Sequence, residues 1–504
     1  MLRALIHSAY TLLTLSVLYL LEIWGRLLHS FYTADICAPN TPEFNIPKIK
    51  NSGKGTFNTQ NFPDATEDQV NEAKRTFIES LDLHAICDLA SRYNNGKSCR
   101  VVSKKNGSFN VCFFVEFDHD GSKWTVRIPI EAAQNSAWEK LESEVATIRY
   151  LERNTKIPVP HVRAYGRDAK LSGAGLGTQM YLITDFIPGE PLDKKLLIKT
   201  EEKHRLNFYS QLIDILAELR KLEFPLIGSL IPTSEGSQGP VLGPVISMTA
   251  TTLQLPPTTV FTSARQYMKY QFSLVSALFL PPVADHTINE VKKEVFALHG
   301  IMPLFDQFID PDLDYGPFVL SHLDLRSCNI IVDKSLQIQG IIDWEFTSTI
   351  PLQLFTPPSW ITGHDLVETN KQMHVEFYGI LLEKSKTSDL CEQLRREWYD
   401  KVDAVKSEIC QTDVAFYFAH ILRRPTDTTD IYCDFFAQKD SDKHLDDIIS
   451  DFFSKHLTLA SEVQHRAKQC ERYTLYLKEH GLYETEEDRL LAQSKALKDK
   501  WGWS

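Results

Sequence analysis

This 504-residue chain has no pair of cysteines at C-x-x-C spacing, no run of basic residues and no internal repeat. Each absence excludes something. Nine cysteines scattered singly argue against a structural zinc site and against a disulfide framework, and read as reduced thiols in a reducing compartment. Lys and Arg number 54 against 66 Asp and Glu, a net charge of −12, which makes a general nucleic-acid binder a poor reading. A basic pocket for one phosphate is still allowed, because net charge says nothing about a single cleft. What is present is the composition of a folded globular protein, 43% hydrophobic and 24% charged, with length enough for two or three domains.

An apolar run at residues 9–21 (AYTLLTLSVLYLL) follows Arg3 and His7 and is closed by Glu22. It is shorter than the roughly 20 residues that span a bilayer comfortably. A signal peptide, a short membrane anchor and a helix lying on a membrane or on the protein itself all fit it. No small-x-small cleavage site follows, which weakens the first. Residues 1–34 are therefore read as an apolar segment with membrane attachment through 9–21 as one expectation, and residues 35–65, rich in Pro, Asn, Gly and Thr, as a linker.

Helical spacing runs from about residue 67 to 93. Strand-like alternation follows in VCFFVEF and WTVRIPI, joined by the turn DHDG. Then come a helix (SAWEKLESEVATIRYLER) with Ser136 as candidate cap, and a strand (QMYLITDFI) ending at Pro188-Gly189. Beyond that the pattern is mostly helical, apart from a Gly/Pro/Ser/Thr-rich insert near residues 231–258 and the segment 318–345. One decoy can be set aside. SRYNNGKS at 91–98 lacks the first glycine of a phosphate-binding GxxxxGK[ST] loop, and helical rather than strand spacing precedes it. A polar loop ending a helix is the better reading.

The chemistry concentrates in FVLSHLDLRSCNIIVDKSLQIQGIIDWE, residues 318–345. An apolar run leads to His322 and Asp324, Asn329 stands five residues on, and a hairpin returns the chain to Asp343. This places Asp324, Asn329 and Asp343 at one end of paired strands. Asn329 and Asp343 offer oxygen atoms to a hard cation such as Mg²⁺. Asp324 is then free to orient a substrate hydroxyl and take its proton, as phosphoryl transfer from ATP requires. Single Asp and Asn residues in loops usually just cap turns; the joint pattern favours function.

HLDLRSCNIIVD followed by GIIDWEF resembles the aminoglycoside phosphotransferase-like kinases, in particular their fungal branch. NGSFNVCFFVEF, WTVRIP, EVATIRYLERNTKIPVPHV, YLITDFIPGEPL and the PP-x-W stretch at 357–360 add to the likeness, which covers roughly residues 70–450. The resemblance implies an α+β, two-lobed protein-kinase-like fold, with a small antiparallel-sheet lobe and a larger helical one. It implies ATP and Mg²⁺ as cofactors, Asp324 as catalytic base, Asn329 and Asp343 as metal ligands, and Arg326 near the transferring phosphate. The lobes are expected at residues 66–188 (nucleotide-binding) and 189–504 (catalytic loop, metal site and acceptor pocket).

In WTVRIPI, Trp124, Val126, Ile128 and Ile130 share one face, so Arg127 faces the other. It stands where the family more often has Lys, a phosphate-binding cation. On the following helix, Trp138, Leu141, Val145, Ile148 and Leu151 form an apolar stripe, and Glu144 falls within about 50° of its centre. An inward carboxylate requires a partner, and Arg127 is the natural one; a solvated Glu144 flanking the stripe is the bland alternative. The loop at 106–110, with Gly107 and Ser108, is expected to cover the phosphates, although it has a single glycine. Asn106-Gly107-Ser108 is a nominal glycosylation sequon, and a glycan over ATP is untenable, which agrees with a cytoplasmic active site. By resemblance, the backbone of Asp185 and Ile187 would meet the adenine edge.

The leading expectation is an ATP- and Mg²⁺-dependent phosphotransferase acting on a hydroxyl of a small molecule. A pseudokinase, binding nucleotide or acting as a scaffold without transfer, is the first alternative, and a membrane-attached interaction protein the second. Acidic residues beyond about 350, such as Asp365 and Glu368, would suit a cationic acceptor but equally well a solvated helix surface.

Overall fold

The computed structural model describes residues 62–63, 65–131, 134–173, 177–233, 240–365, 371–400, 411–437, 443–485, 490–491 and 494. The apolar run 9–21 and Glu368 lie outside the described residues. Among the described residues no helix is long and apolar enough to cross a membrane.

The expected helical stretch from 67 to 93 is two helices, α1 (Glu67–Glu79) and α2 (Leu83–Tyr93). Thr66 and Gln69 close a capping box on α1, and the Asp82 side chain caps α2 by accepting from His84 N–H. The break has a tertiary cause: Leu81 bridges to Ser172, and the Asp82 amide donates to Leu171 O at 2.8 Å. Because α2 runs to Tyr93 and takes up the first three residues of SRYNNGKS, that segment is the end of a helix and no phosphate loop.

Five strands follow: β1 (Cys99–Asn106), β2 (Asn110–Phe117), β3 (Lys123–Pro129), β4 (Val162–Ala169) and β5 (Gln179–Asp185). They form one antiparallel sheet in the order β1-β2-β3-β5-β4. The alternation read in β2 and β3 is real. Val111, Phe113, Val115, Phe117, Val126 and Ile128 are buried in one cluster with Ile86 and Leu89 of α2. Arg127 projects from the opposite face, between Cys112 of β2 and Leu182 of β5. Helix α3 (Ala137–Asn154) connects β3 to β4 and buries Leu141, Val145, Ile148 and Leu151. Ser136 stands at its N-cap position but in the left-handed region (φ 55°), and its side chain makes no capping hydrogen bond.

After β5 the chain is mostly helical. The helix Glu202–Arg220 is the spine of this lobe, with Phe208, Leu212, Leu216 and Leu219 buried. Two partly buried bidentate pairs, Arg205 with Glu376 and Arg220 with Glu397, tie it to the helices Lys371–Ser385 and Asp389–Tyr399. The Gly/Pro-rich insert contributes a short strand pair, Ser229–Ile231 with Val241–Gly243, and a helix, Met248–Thr252. The segment 318–345 lies against this core as a strand, Phe318–Ser321, and a hairpin, Ile330–Val332 with Ile338–Ile341. This is the two-lobed, α+β, protein-kinase-like fold.

Candidate active site

The hairpin sets the first half of the site. Ile330 pairs with Ile341, and the Ile342 amide donates to Asn329 O at 3.0 Å, so Asn329 and Asp343 emerge side by side from adjacent strand ends. Asp343 adopts φ 67° and ψ 54°, a left-handed backbone conformation costly for a side-chain-bearing residue and typical of functional positions. Trp344 behind it is buried, with its indole N–H on Ile341 O at 2.9 Å.

Asp324 is held from three sides. Its amide donates to His322 Nδ1 (3.2 Å), Asn329 Nδ2 donates to its carbonyl (2.8 Å), and Arg326 donates to its carboxylate from Nε (2.9 Å) and Nη2 (2.7 Å). His322 in turn donates from Nε2 to Ile342 O at 3.0 Å, so one neutral imidazole braces both the Asp324 loop and the segment leading to Asp343. The Trp360 indole N–H bonds Leu325 O at 3.0 Å, which gives the PP-x-W stretch a physical role as a prop under the same loop.

The sheet and α3 supply the other half. Arg127 makes a bidentate pair with Glu144, so the inward-facing carboxylate and its cation meet as expected. Arg127 also reaches Glu345 (2.9 Å) and Asp343 (3.5 Å). Sequence reasoning missed the next partner. Lys140, 2% exposed, pairs with Glu345 at 2.8 Å and lies 4.6 Å from the Phe109 ring centre and 4.9 Å from that of Phe346. Asn110 Nδ2 donates to the same Glu345 at 2.8 Å. The result is a buried row of alternating charge: Lys140, Glu345, Arg127, Glu144. Burial disfavours the Lys140 cation and lowers its pKa, against the pull of Glu345. Burial also works against the Glu345 anion, but Lys140 and Arg127 hold it below the usual carboxylate range. Burial, then the Glu345 charge, push Asp343 upward, with Arg127 opposing.

The loop between β1 and β2 is held by packing. The Gly107 amide donates to Asn110 O (2.8 Å), Phe109 packs edge-on to Phe346 (5.4 Å), and Gln134 donates to Phe109 O (3.0 Å). At the far end, Gly340 lets Ile187 approach; a Cβ there would meet Ile187 Cδ1 at 2.3 Å. The Asp185 carboxylate is engaged by Arg163 (2.6 and 3.1 Å), and its amide donates to His161 O at 3.0 Å.

One cavity of about 450 Å³ brings these residues together: Gly107, Ser108, Arg127, Glu144, Asp185, Ile187, Asp324, Arg326, Asn329 and Asp343 all line it. Its size suits a nucleotide-scale ligand. Among the described residues no group of three or more His, Cys, Asp or Glu side chains could hold a metal. Asn329 Oδ1 and the Asp343 carboxylate are a two-oxygen set, which fits Mg²⁺ shared with phosphates rather than caged by protein.

The two lobes thus gather these polar side chains around one cleft. Residues 106–353 match the phosphotransferase enzyme family called APH. A curated relative, the clavilactone A biosynthesis cluster protein Y of Ampulloclitocybe clavipes, is 27% identical over 238 residues. That match spans 45% of this chain and 54%, about half, of the relative. Among solved structures, the streptomycin-ATP complex of APH(2")-IIa is similar over 76% of this chain and 97% of that one, at 14% identity and a TM-score of 0.39. An ethanolamine kinase of Plasmodium vivax is similar over 79% and 96%, at 13% identity and a TM-score of 0.38.

Proposed function

We propose that the chain is an ATP- and Mg²⁺-dependent phosphotransferase that phosphorylates a hydroxyl of a small molecule. The observation that carries this reading is the convergence of Asp324, Asn329, Asp343 and the Arg127–Glu144 pair on one nucleotide-sized cavity. Bound MgATP would supply the phosphoryl group and the charge that neutralises the transferred oxygens. Arg127, oriented by Glu144, binds phosphate; Asn329 and Asp343 hold the cation; the loop with Gly107 and Ser108 excludes water from above. Asp324 positions the acceptor hydroxyl and receives its proton as that oxygen bonds to the γ-phosphorus and ADP leaves with the cleaved bond's electron pair. Arg326, now on Asp324, is placed to turn toward the developing negative charge. In this reading residues 66–188 form the nucleotide lobe and 189–504 the acceptor lobe. Asn106 and Ser108 lie on the cavity wall, where a glycan would block it, so the active site belongs in the cytoplasm.

A nucleotide-binding module without transfer is the second reading. It draws on Arg127, whose donors are already met by Glu144, Glu345 and Asp343. Thermal shift with ATP, with and without Mg²⁺, followed by mass spectrometry of a hydroxyl-compound panel, separates the two. Mg²⁺-dependent stabilisation with a phosphorylated product supports the enzyme; stabilisation with no product supports the module; no stabilisation removes both.

A further inference from the structure

The acceptor side of Asp324 holds a charge that the phosphotransferase reading does not use. Arg423, the last residue of the helix Gln411–Arg423, is half-buried and makes no ion pair among the described residues. Its Nη2 donates only to uncharged acceptors, Ser359 Oγ and His420 Nδ1, both at 3.3 Å. The neighbouring carboxylates are already paired. Asp324 has Arg326 at 2.7 Å, Asp365 has Lys194 at 3.3 Å, and Asp427 has His420 at 2.8 Å and Arg424 at 3.5 Å. Among the described residues, three carboxylates against four permanent cations leave Arg423 as the surplus. Burial disfavours its charged form and lowers its pKa, with the Asp324 and Asp365 charges opposing from a distance.

The space in front of Arg423 is small. It lines a cavity of about 80 Å³ with Ser359 and His420, the groups it bonds, and another of about 40 Å³ with Met248, Gln271, Leu323 and Phe346. Met248 and Phe346 also line the large cleft that contains Asp324, so the smaller cavity and the cleft share a wall. Such a volume takes a few waters or one small polar group, not a sugar ring. A half-buried guanidinium without a carboxylate is costly, and an anion delivered by a ligand removes that cost through a planar, two-donor contact.

We propose that the acceptor is a hydroxy acid, whose carboxylate is received by Arg423 while its hydroxyl lies at Asp324. This rests on the phosphotransferase reading and names the acceptor class for the same site. It is opposite in sign to the cationic acceptor that Asp365 suggested from sequence, because Asp365 is occupied by Lys194.

The test uses the full chain and a panel of small hydroxy acids, each with its methyl ester and its amino-alcohol counterpart. Turnover with MgATP is followed by mass spectrometry, and binding to the chain loaded with Mg²⁺ and a non-hydrolysable ATP analogue is followed by calorimetry. Acids should be favoured over their esters. Arg423→Gln should shrink the acid-over-ester ratio by about 10- to 100-fold, the range expected for one charged hydrogen-bonded contact. Arg423→Lys, which keeps the charge, should restore part of it, a rescue that a merely structural role would not produce. Acids bound but not phosphorylated, with the preference lost in Arg423→Gln, would support the anion site while removing the transferase reading. Esters or amines that serve as well as acids, or acids that bind no better than esters in any form of the chain, would overturn the proposal.

Discussion

In the proposed reading, the nucleotide end of the cleft and the acceptor region around Arg423, beyond the wall of Met248 and Phe346, carry opposite imbalances. At the nucleotide end, Arg127 and Lys140 face Glu144, Glu345 and Asp343, and the set is short of one positive charge. At the acceptor end, among the described residues, Arg326, Lys194, Arg424 and Arg423 face Asp324, Asp365 and Asp427, and the set is long by one. Uncompensated charge in a half-buried site is costly in the empty protein and is relieved by a ligand of the other sign. The first imbalance suits a divalent cation at Asp343, the second an anion at Arg423. The difference also separates rigidity from openness. The nucleotide end is locked by a buried ionic row, whereas Arg423 rests on a serine and a histidine.

The strongest way to break this comparison is to remove the carboxylate that completes the nucleotide end. Asp343→Ala should abolish Mg²⁺-dependent ATP binding and leave the fold intact, since the side chain is 30% exposed at the mouth of the cavity. Calorimetry that finds MgATP bound as tightly as in the parent would remove Asp343 from the metal. Next in size is Asp324→Asn, which keeps shape but loses the proton acceptor. MgATP affinity should persist while transfer falls by about 10²–10⁴-fold. Unchanged transfer in that variant would refute the role given to Asp324.

How far each end was legible follows from sequence distance. His322, Asp324, Asn329 and Asp343 come from one short stretch, so strand alternation and spacing place them together before any tertiary contact is known. Arg127 and Glu144 were legible because alternation set Arg127 on the face opposite the apolar one and helical angle turned Glu144 toward the apolar stripe. The same angle puts Lys140 one turn before Glu144 on the same face, a signal present in the sequence that the reading above did not use. Its partner Glu345 lies over two hundred positions away, and no local pattern links them. Arg423 ends a helix with nothing nearby in sequence to mark it. Its meaning depends on which distant carboxylates already have partners. The break between α1 and α2 was hidden likewise, because it depends on Leu81 pairing with Ser172. The expected cap at Ser136 was right in position and wrong in mechanism, since its left-handed backbone forms no side-chain cap.

A third prediction sharpens the rigid side of the comparison. Lys140→Met keeps the stem and removes the charge, leaving Glu345 with Arg127 and Asn110 alone. Stability should fall toward the lower end of the roughly 3–5 kcal/mol expected for breaking a buried pair. The double variant with Glu345→Gln should recover part of that loss, measured by denaturant unfolding. Additive losses would mean that the pair is not energetically coupled.

The smallest expected effect is a pH dependence that both ends share through a histidine. His322 Nδ1 accepts from the Asp324 amide, and His420 Nδ1 accepts from Ser359 and Arg423, while each Nε2 donates, to Ile342 O and to Asp427. Protonating either Nδ1 would turn an acceptor into a donor facing a donor. Burial lowers both pKa values below the ordinary 6.5, with the carbonyl of Ile342 and the Asp427 carboxylate opposing. The unfolded chain therefore binds more protons than the native one as pH falls through 6.5. The stabilising contribution is fully present above that pH and is lost below it, by up to about 1.4 kcal/mol per pH unit per histidine. Denaturant midpoints compared at pH 7.5 and 5.5, as about two units of separation, should show it. His420→Gln should flatten the slope by the share of one histidine, while His322, bracing Asp324 and Ile342, keeps the rest. A slope unchanged by His420→Gln would mean that the acceptor end is already tolerant of a second positive charge beside Arg423, and that its surplus is not the strain the comparison assigns to it.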